Sequence, residues 1–436
     1  MAKASLSNAP HPAPSLKLLP KLKVSVVRSA PSTATAIGVP VGTRGAFPRE
    51  VGFDREALAG AGFEGKLGQT FVIPHGKGAI VVAVGIGDGK LTVAQLRDAA
   101  AAFARAASRH PELTTTLADA ATGIGPKDAA EAVVEGILLA RYRYEILKSD
   151  STDIRLKELT LVTSADRGKA QSAGAQLGKT MAGAAMLARD LANAPAKVLT
   201  AAKMADVAVE VAHDRGLQVE VFDKSDLAKM GCGGMLGVNA GSTEPPRMVK
   251  LTYKPKGNKG KGGAHLAMVG KGIMYDSGGI NLKPAQGMQL YMKMDMAGAA
   301  AVLGAMSVLR AARPTVSAAT RLVERRYAQS RRCAARLHHG CALPAGVGRW
   351  PAVVTLRHLR NDEVRHRRFL ALARGHGCRR TTVRRPGGQF HAAEVAPHDA
   401  RREGGHADRS PAVPAGPGAA DPLIQWSGRR SATRPG

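Results

Sequence analysis

Apolar positions fall into short runs separated by longer amphipathic stretches as far as about residue 313, where the rhythm stops. A run near Leu22–Val27 predicts a first strand. The stretch before it is rich in Pro, Ser, Ala and Lys, so Met1–Val41 reads as largely loose, with residues 1–20 a flexible leader. Phe71–Pro74 and Ala79–Val84 read as buried strands, Val93–Ser108 and Lys127–Tyr142 as helices, and Glu158–Thr163 as another strand. That alternation predicts a mostly parallel sheet covered by helices, a first α/β domain over residues 21–165.

A long helix follows over Arg167–Leu191 and ends at Asn193-Ala194-Pro195, because proline cannot continue regular helix. Next come a helix (Ala201–His213), a strand (Gln218–Phe222), a short helix near Ser225–Met230 and a glycine-rich turn, Gly231–Gly234. Strands over Met248–Tyr253 and His265–Val269 flank a Lys/Gly-rich solvated loop, Pro255–Gly263. An Ala-rich helix then runs through Ala297–Ala312. A second α/β domain therefore starts between residues 166 and 180 and extends to 313. With one further strand at most, near Thr315–Ala318, it leaves the face Ala299–Val308 short of cover. The fold class is α/β with two domains.

Composition changes this picture in one place. The chain has 436 residues, 44% of them apolar, and a formal charge of +29. All 24 lysines lie in residues 1–313; residues 314–436 carry 23 arginines, no lysine and 8 acidic residues. That tail has few apolar runs to offset chain entropy, so it is expected to be disordered. It also reads as GC-rich coding sequence translated in the wrong frame, because Arg, Ala, Gly and Pro codons are GC-rich and lysine codons are not. Its charge would attract nucleic acid non-specifically, but its aromatics are too sparse for base stacking. Cys333, His338, His339 and Cys341 match no common zinc spacing. No run of eighteen apolar residues and no secretory h-region is present, so neither a membrane nor export is expected. Four cysteines in this length fit a reducing cytoplasm.

Candidate chemistry concentrates after the strand ending at Val269. Lys271, Asp276 and Lys283 sit on glycine-bearing turns there, and Asp295 stands just before a helix. Loops at the carboxyl ends of strands carry most α/β sites. Closely placed aspartates can hold divalent ions that activate water, although Asp295 could equally be a helix cap and the lysines solvated. Gly85-Ile86-Gly87-Asp88-Gly89 has Lys90 where a dinucleotide loop needs its third glycine, so it reads as a plain turn.

The run Val269–Pro284 resembles the metal-binding segment of the leucine (cytosol) aminopeptidase family, and Asp295-Met-Ala-Gly-Ala-Ala-Ala resembles its continuation. Ala188–Pro195, Val198–Thr200 and Met235–Arg247 agree with the same family in the same order. The resemblance implies a two-metal enzyme, with Mn²⁺ or Zn²⁺, that releases N-terminal residues, often leucine, from peptides. It implies that Lys271, Asp276 and Asp295 are metal ligands, with Asp276 the bridging carboxylate. Lys283 matches the cation that stabilises the oxyanion of the scissile carbonyl. The family's usual assembly is a homo-hexamer.

Two departures stand against the family pattern. The interval from Lys283 to Asp295 is one residue longer than in the family pattern, an excess expected to be absorbed at Gln289–Met292. The downstream Asn-Thr-Asp-Ala-Glu-Gly-Arg segment, source of two more metal ligands and an arginine, is absent from the sequence. Its nearest imitation, Asn361-Asp362-Glu363-Val364-Arg365, has adjacent acids that a strand would point to opposite faces. The expectation is an aminopeptidase by family with impaired turnover, and the alternative is a non-catalytic basic protein that binds nucleic acid.

Overall fold

The computed structural model describes residues 10–45, 47–76, 78–121, 123–255, 265–279 and 281–312, with the backbone of 317–323 and 353–355. The tail over most of 314–436, including the cysteine–histidine group and Asn361–Arg365, lies outside the described residues, as does most of the loop Pro255–Gly263.

Six strands build the first sheet: β1 (Lys23–Val27), β2 (Ala36–Val41), β3 (Thr70–Ile73), β4 (Ile80–Gly85), β5 (Glu112–Thr115) and β6 (Glu158–Val162). Their order is β1-β6-β5-β2-β4-β3, and every pair is parallel except β3 with β4. Among its helices are α1 (Ser15–Leu18), α2 (Arg55–Gly60), α3 (Val93–Ala106), α4 (Leu117–Ala120), α5 (Pro126–Ala140) and α6 (Gly168–Asn193). A capping box of Thr92 and Gln95 starts α3, and Pro126 starts α5 where a missing N–H costs nothing. One core joins Leu96, Phe103, Val133, Ile137, Leu159 and Ala175; another, against the opposite face, joins Val39, Leu58, Phe63 and Ile73.

Two expectations for the N-terminus are corrected here. β2 lies inside the stretch read as loose, yet it is an interior strand paired with both β4 and β5. Gly38 and Pro40 hid it, since both lower strand propensity. A Cβ at Gly38 would lie 2.8 Å from the Phe103 ring, and Pro40 lies past the residues that pair with β5. Nor is the leader loose over residues 10–20. Ala13 is fully buried, Ser15 N donates to Asp190 Oδ2 (2.7 Å), and Tyr144 Oη donates to Pro12 O (3.2 Å). The turn at Gly85–Gly89 is as expected a plain one: Thr43 N donates to Gly87 O (2.7 Å), and a Cβ at Gly85 would lie 2.0 Å from Lys66 O, so backbone fills that space.

After α6 come α7 (Ala201–Arg215), β7 (Gln218–Phe222), α8 (Lys224–Lys229), α9 (Gly233–Asn239), β8 (Met248–Tyr253), β9 (His265–Lys271), α10 (Ala297–Ala312), β10 (Ser317–Val323) and β11 (Val353–Thr355). The second sheet has the order β11-β9-β10-β8-β7. β9 is parallel to both β10 and β11, while β8 is antiparallel to β10 and β7. The further strand expected near Thr315–Ala318 stands as β10, and β11 adds a second strand past residue 313. The glycine-rich turn is shorter than expected, because α9 begins at Gly233.

The expected gap over Ala299–Val308 is corrected too. Ala299, Val302, Leu303 and Met306 are fully buried in a core shared with α6, α7 and β8. Ala285–Ala312 is long and apolar enough on composition to cross a membrane, but its backbone breaks at Gln286 and Gly287 and α10 is a core helix. α6 belongs to both halves: Ala175 and Ala182 enter the first core, Leu187 and Leu191 the second.

Candidate metal centre

The carboxyl end of β9 meets the start of α10 at unusually short range. A Cβ at Gly270 would lie 2.6 Å from Ala299 Cα, and one at Gly298 would lie 3.2 Å from Lys271 N. Glycine at both positions lets strand and helix backbones touch. That contact brings Lys271, the last residue of β9, to Asp295 on the 3₁₀ turn Met292–Met296 just before α10. Lys271 Nζ donates to Asp295 Oδ1 at 2.6 Å. Asp295 is buried, and its other oxygen, Oδ2, has no hydrogen-bond partner. A buried polar atom left unpaired is costly and calls for a missing partner.

The loop after β9 closes on itself to form a second pair. Asp276 Oδ1 accepts from Gly278 N (2.9 Å), and Gly278 and Gly279 take positive φ (83° and 87°). Asn281, with φ 53°, is the one described non-glycine residue in that region. Lys283 N donates back to Ser277 O (3.1 Å), and Lys283 Nζ reaches Asp276 Oδ2 at 2.9 Å. Gln289 braces the loop, donating from Nε2 to Lys283 O at 2.6 Å. Irregular backbone does lie between Lys283 and Asp295, in the π turn Ala285–Gln289 with Gly287 at φ 80°, slightly upstream of the expected Gln289–Met292.

The four predicted site residues therefore stand as two ion pairs, Lys271–Asp295 and Lys283–Asp276. Lys293 was missed by the reading of the sequence. Its ammonium donates to Leu191 O (3.2 Å) and Ala192 O (3.4 Å) at the end of α6, and burial lowers its pKa to about 8. The available signal was its place between two methionines in an apolar run.

A divalent ion fits the Lys271–Asp295 pair in donor chemistry. Nitrogen and carboxylate oxygen suit borderline divalent cations, and the unpartnered Oδ2 is an acceptor in want of a positive charge. No cluster of three or more His, Cys, Asp or Glu side chains occurs among the described residues.

Residues 53–151 match the sequence model of the cytosol aminopeptidase family, N-terminal domain, and residues 186–330 match that of its catalytic domain. The chain belongs to the cytosol aminopeptidase family. The catalytic match starts within α6 and runs past the composition change at 314. A probable cytosol aminopeptidase of Alkaliphilus oremlandii (strain OhILAs) is 36% identical over 282 residues, covering 61% of this chain and 54% of the relative. That of Chlorobaculum tepidum is 43% identical over 189 residues, covering 41% of this chain and 37% of the relative. The chain spans about half the length of the curated relatives it matches. Among solved structures, the bottromycin maturation enzyme BotP in complex with Mn has a TM-score of 0.57 at 34% identity, covering 67% of this chain and 59% of that one. A tomato leucine aminopeptidase mutant has a TM-score of 0.57 at 23% identity, covering 71% and 64%, a likeness of fold.

Proposed function

We propose that this cytosol aminopeptidase chain carries the metal-binding half of a leucyl aminopeptidase site, acting on peptide N-termini in the cytoplasm, and that turnover by the chain as translated is greatly reduced. The observation that carries the reading is the Lys271–Asp295 pair with the buried, unpartnered Asp295 Oδ2. Lys271, Asp295 and Asp276 would hold the metal, and the Mn in the BotP structure makes Mn²⁺ the first ion to test. Bound there, a divalent ion supplies Lewis acidity and lowers the pKa of water.

The protein groups have separate tasks in this proposal. Lys271 ligates only after losing its proton, so metal binding releases H⁺. Lys283, paired with Asp276, supplies a positive charge for an oxyanion. With three ligands from this half and no Asn-Thr-Asp-Ala-Glu-Gly-Arg segment in the sequence, one ion binds usefully in place of the family's two. Proton transfer loses the segment's arginine as well. The homo-hexamer of the family is not expected of this chain. The arginine-rich tail, residues 314–436, is read as a frame change in a GC-rich gene, with the family match reaching 330.

The test is hydrolysis of leucine p-nitroanilide with Mn²⁺ by this chain and by a frame-restored chain, purified identically. A rise of several orders of magnitude on restoration is expected; equal rates would refute the impairment. Strong, salt-dependent DNA binding with no Mn²⁺ uptake would favour the nucleic-acid reading instead.

A further inference from the structure

The turn that carries Asp295 is anchored at its end, where Met296 is fully buried and α10 follows, and is irregular only on its upstream side. It is a single 3₁₀ turn, Met292–Met296, preceded by irregular backbone at Gln286 and Gly287 and by the exposed Leu290 and Tyr291. A contact at the start of the turn would fix the side that α10 does not hold. α6 is the best anchored neighbour, since its 26 residues enter both cores.

Lys293 makes that connection. The last four carbonyls of a helix lack intrahelical partners, and a cation at that end is favoured by the helix dipole. Ala194 N takes Asp190 O, which leaves Leu191 O and Ala192 O to be satisfied otherwise. Lys293 Nζ donates to both, from a turn about a hundred residues later in the chain. Among the described residues no carboxylate forms an ion pair with it, so its charge is committed to these carbonyls.

We propose that Lys293 is a positioning residue, tying the Met292–Met296 turn to the end of α6 so that Asp295 is fixed for its divalent ion. The assignment rests on the metal reading above. An ordinary core lysine would stabilise the fold without altering metal affinity, and that difference decides the test.

The full chain is compared with Lys293→Met, which keeps the apolar stem, and Lys293→Gln, which keeps N–H donors. Lys203→Met, in an exposed pair with Asp206 on α7, is the control. Amide hydrogen exchange and Mn²⁺ titration are measured on each. Lys293→Met should speed exchange over residues 292–297 at least about tenfold relative to β4. It should weaken Mn²⁺ binding by about tenfold, the scale on which losing an outer support of a ligand acts. Lys293→Gln should show a smaller change in both, and Lys203→Met none. Equal Mn²⁺ affinity in the Met variant, or unchanged exchange over 292–297, overturns the assignment alone. Failure of both Lys293 variants to fold also overturns it, because a positioning contact leaves the two cores intact. An unmodified chain that takes up no Mn²⁺ refutes the metal reading and the assignment with it.

Discussion

Asp190 and Asp295 are both buried carboxylates with one oxygen that lacks a hydrogen-bond partner, yet their surroundings are opposite in kind. Asp190 sits near the end of α6, where Ser15 N donates to Oδ2 and ties the N-terminal segment down. Burial, opposed by that hydrogen bond, raises its pKa to about 6. Taking up a proton removes the buried charge there. Asp295 faces the ammonium of Lys271 at 2.6 Å, at the carboxyl end of a strand whose following loop carries a second lysine–aspartate pair. On the proposed metal reading, an orphaned oxygen points to a ligand site only where donors of complementary chemistry converge on it. Where they do not, as at Asp190, burial only makes the carboxyl harder to ionise.

The contrast breaks most sharply under substitution of the two aspartates. Asp295→Asn should weaken Mn²⁺ binding at least about a thousandfold, beyond the ten- to hundredfold cost of losing an outer support. Asp190→Asn should leave it within about twofold. Calorimetric titration of both variants checks this, and equal losses would erase the distinction.

Next in size is the strand–helix contact that brings Lys271 to Asp295. Gly270→Val places side-chain atoms where Ala299 backbone already stands, 2.6 Å from the new Cβ. Overpacking of that kind should cost about 3 kcal/mol in urea-induced unfolding.

Asp190 should reveal itself through pH. Its folded-state pKa lies above the ordinary 3.8, so the folded chain takes up a proton where the unfolded chain does not. Stability therefore falls as pH rises from 3.8 through about 6, and above 6 the penalty is complete, about 2 to 3 kcal/mol. Asp190→Asn should flatten this part of the profile and gain most over the parent near pH 7. Denaturant unfolding at several pH values would show it, and an unchanged profile would place the titration elsewhere.

Much of this was open to reading in the sequence, for physical reasons. α3 shows helical periodicity and a Thr92/Gln95 cap, and β4 and β8 are dense apolar runs bounded by loops. β2 was not legible, because Gly38 and Pro40 break its local signal while tertiary packing against Phe103 supplies the reason for the glycine. β5, at four residues, is too short to show a period. The four candidate residues are picked out from spacing and resemblance, but spacing cannot say which lysine pairs with which aspartate. Lys293 escaped because its partners are backbone carbonyls of α6, which no side-chain pattern announces.

The smallest effect concerns α7, which packs against the second sheet. Thr200 caps α7 by accepting from Lys203 N at 3.3 Å, and Thr200→Ala should cost about 1 kcal/mol by urea unfolding while leaving Mn²⁺ affinity unchanged. A matching loss of affinity would mean that metal binding tracks global stability, and the contrast between the two aspartates would lose its meaning.

The central claim is that Lys271 and Asp295 form a metal site in this chain, and Mn²⁺ titration of the unmodified 436-residue protein tests it most directly. One ion should bind with useful affinity, with proton release as Lys271 deprotonates, and Asp276→Ala should abolish it. No uptake, or uptake unaffected by Asp295→Asn, would contradict the site; two tight equivalents would contradict the claim that this chain supplies ligands for only one.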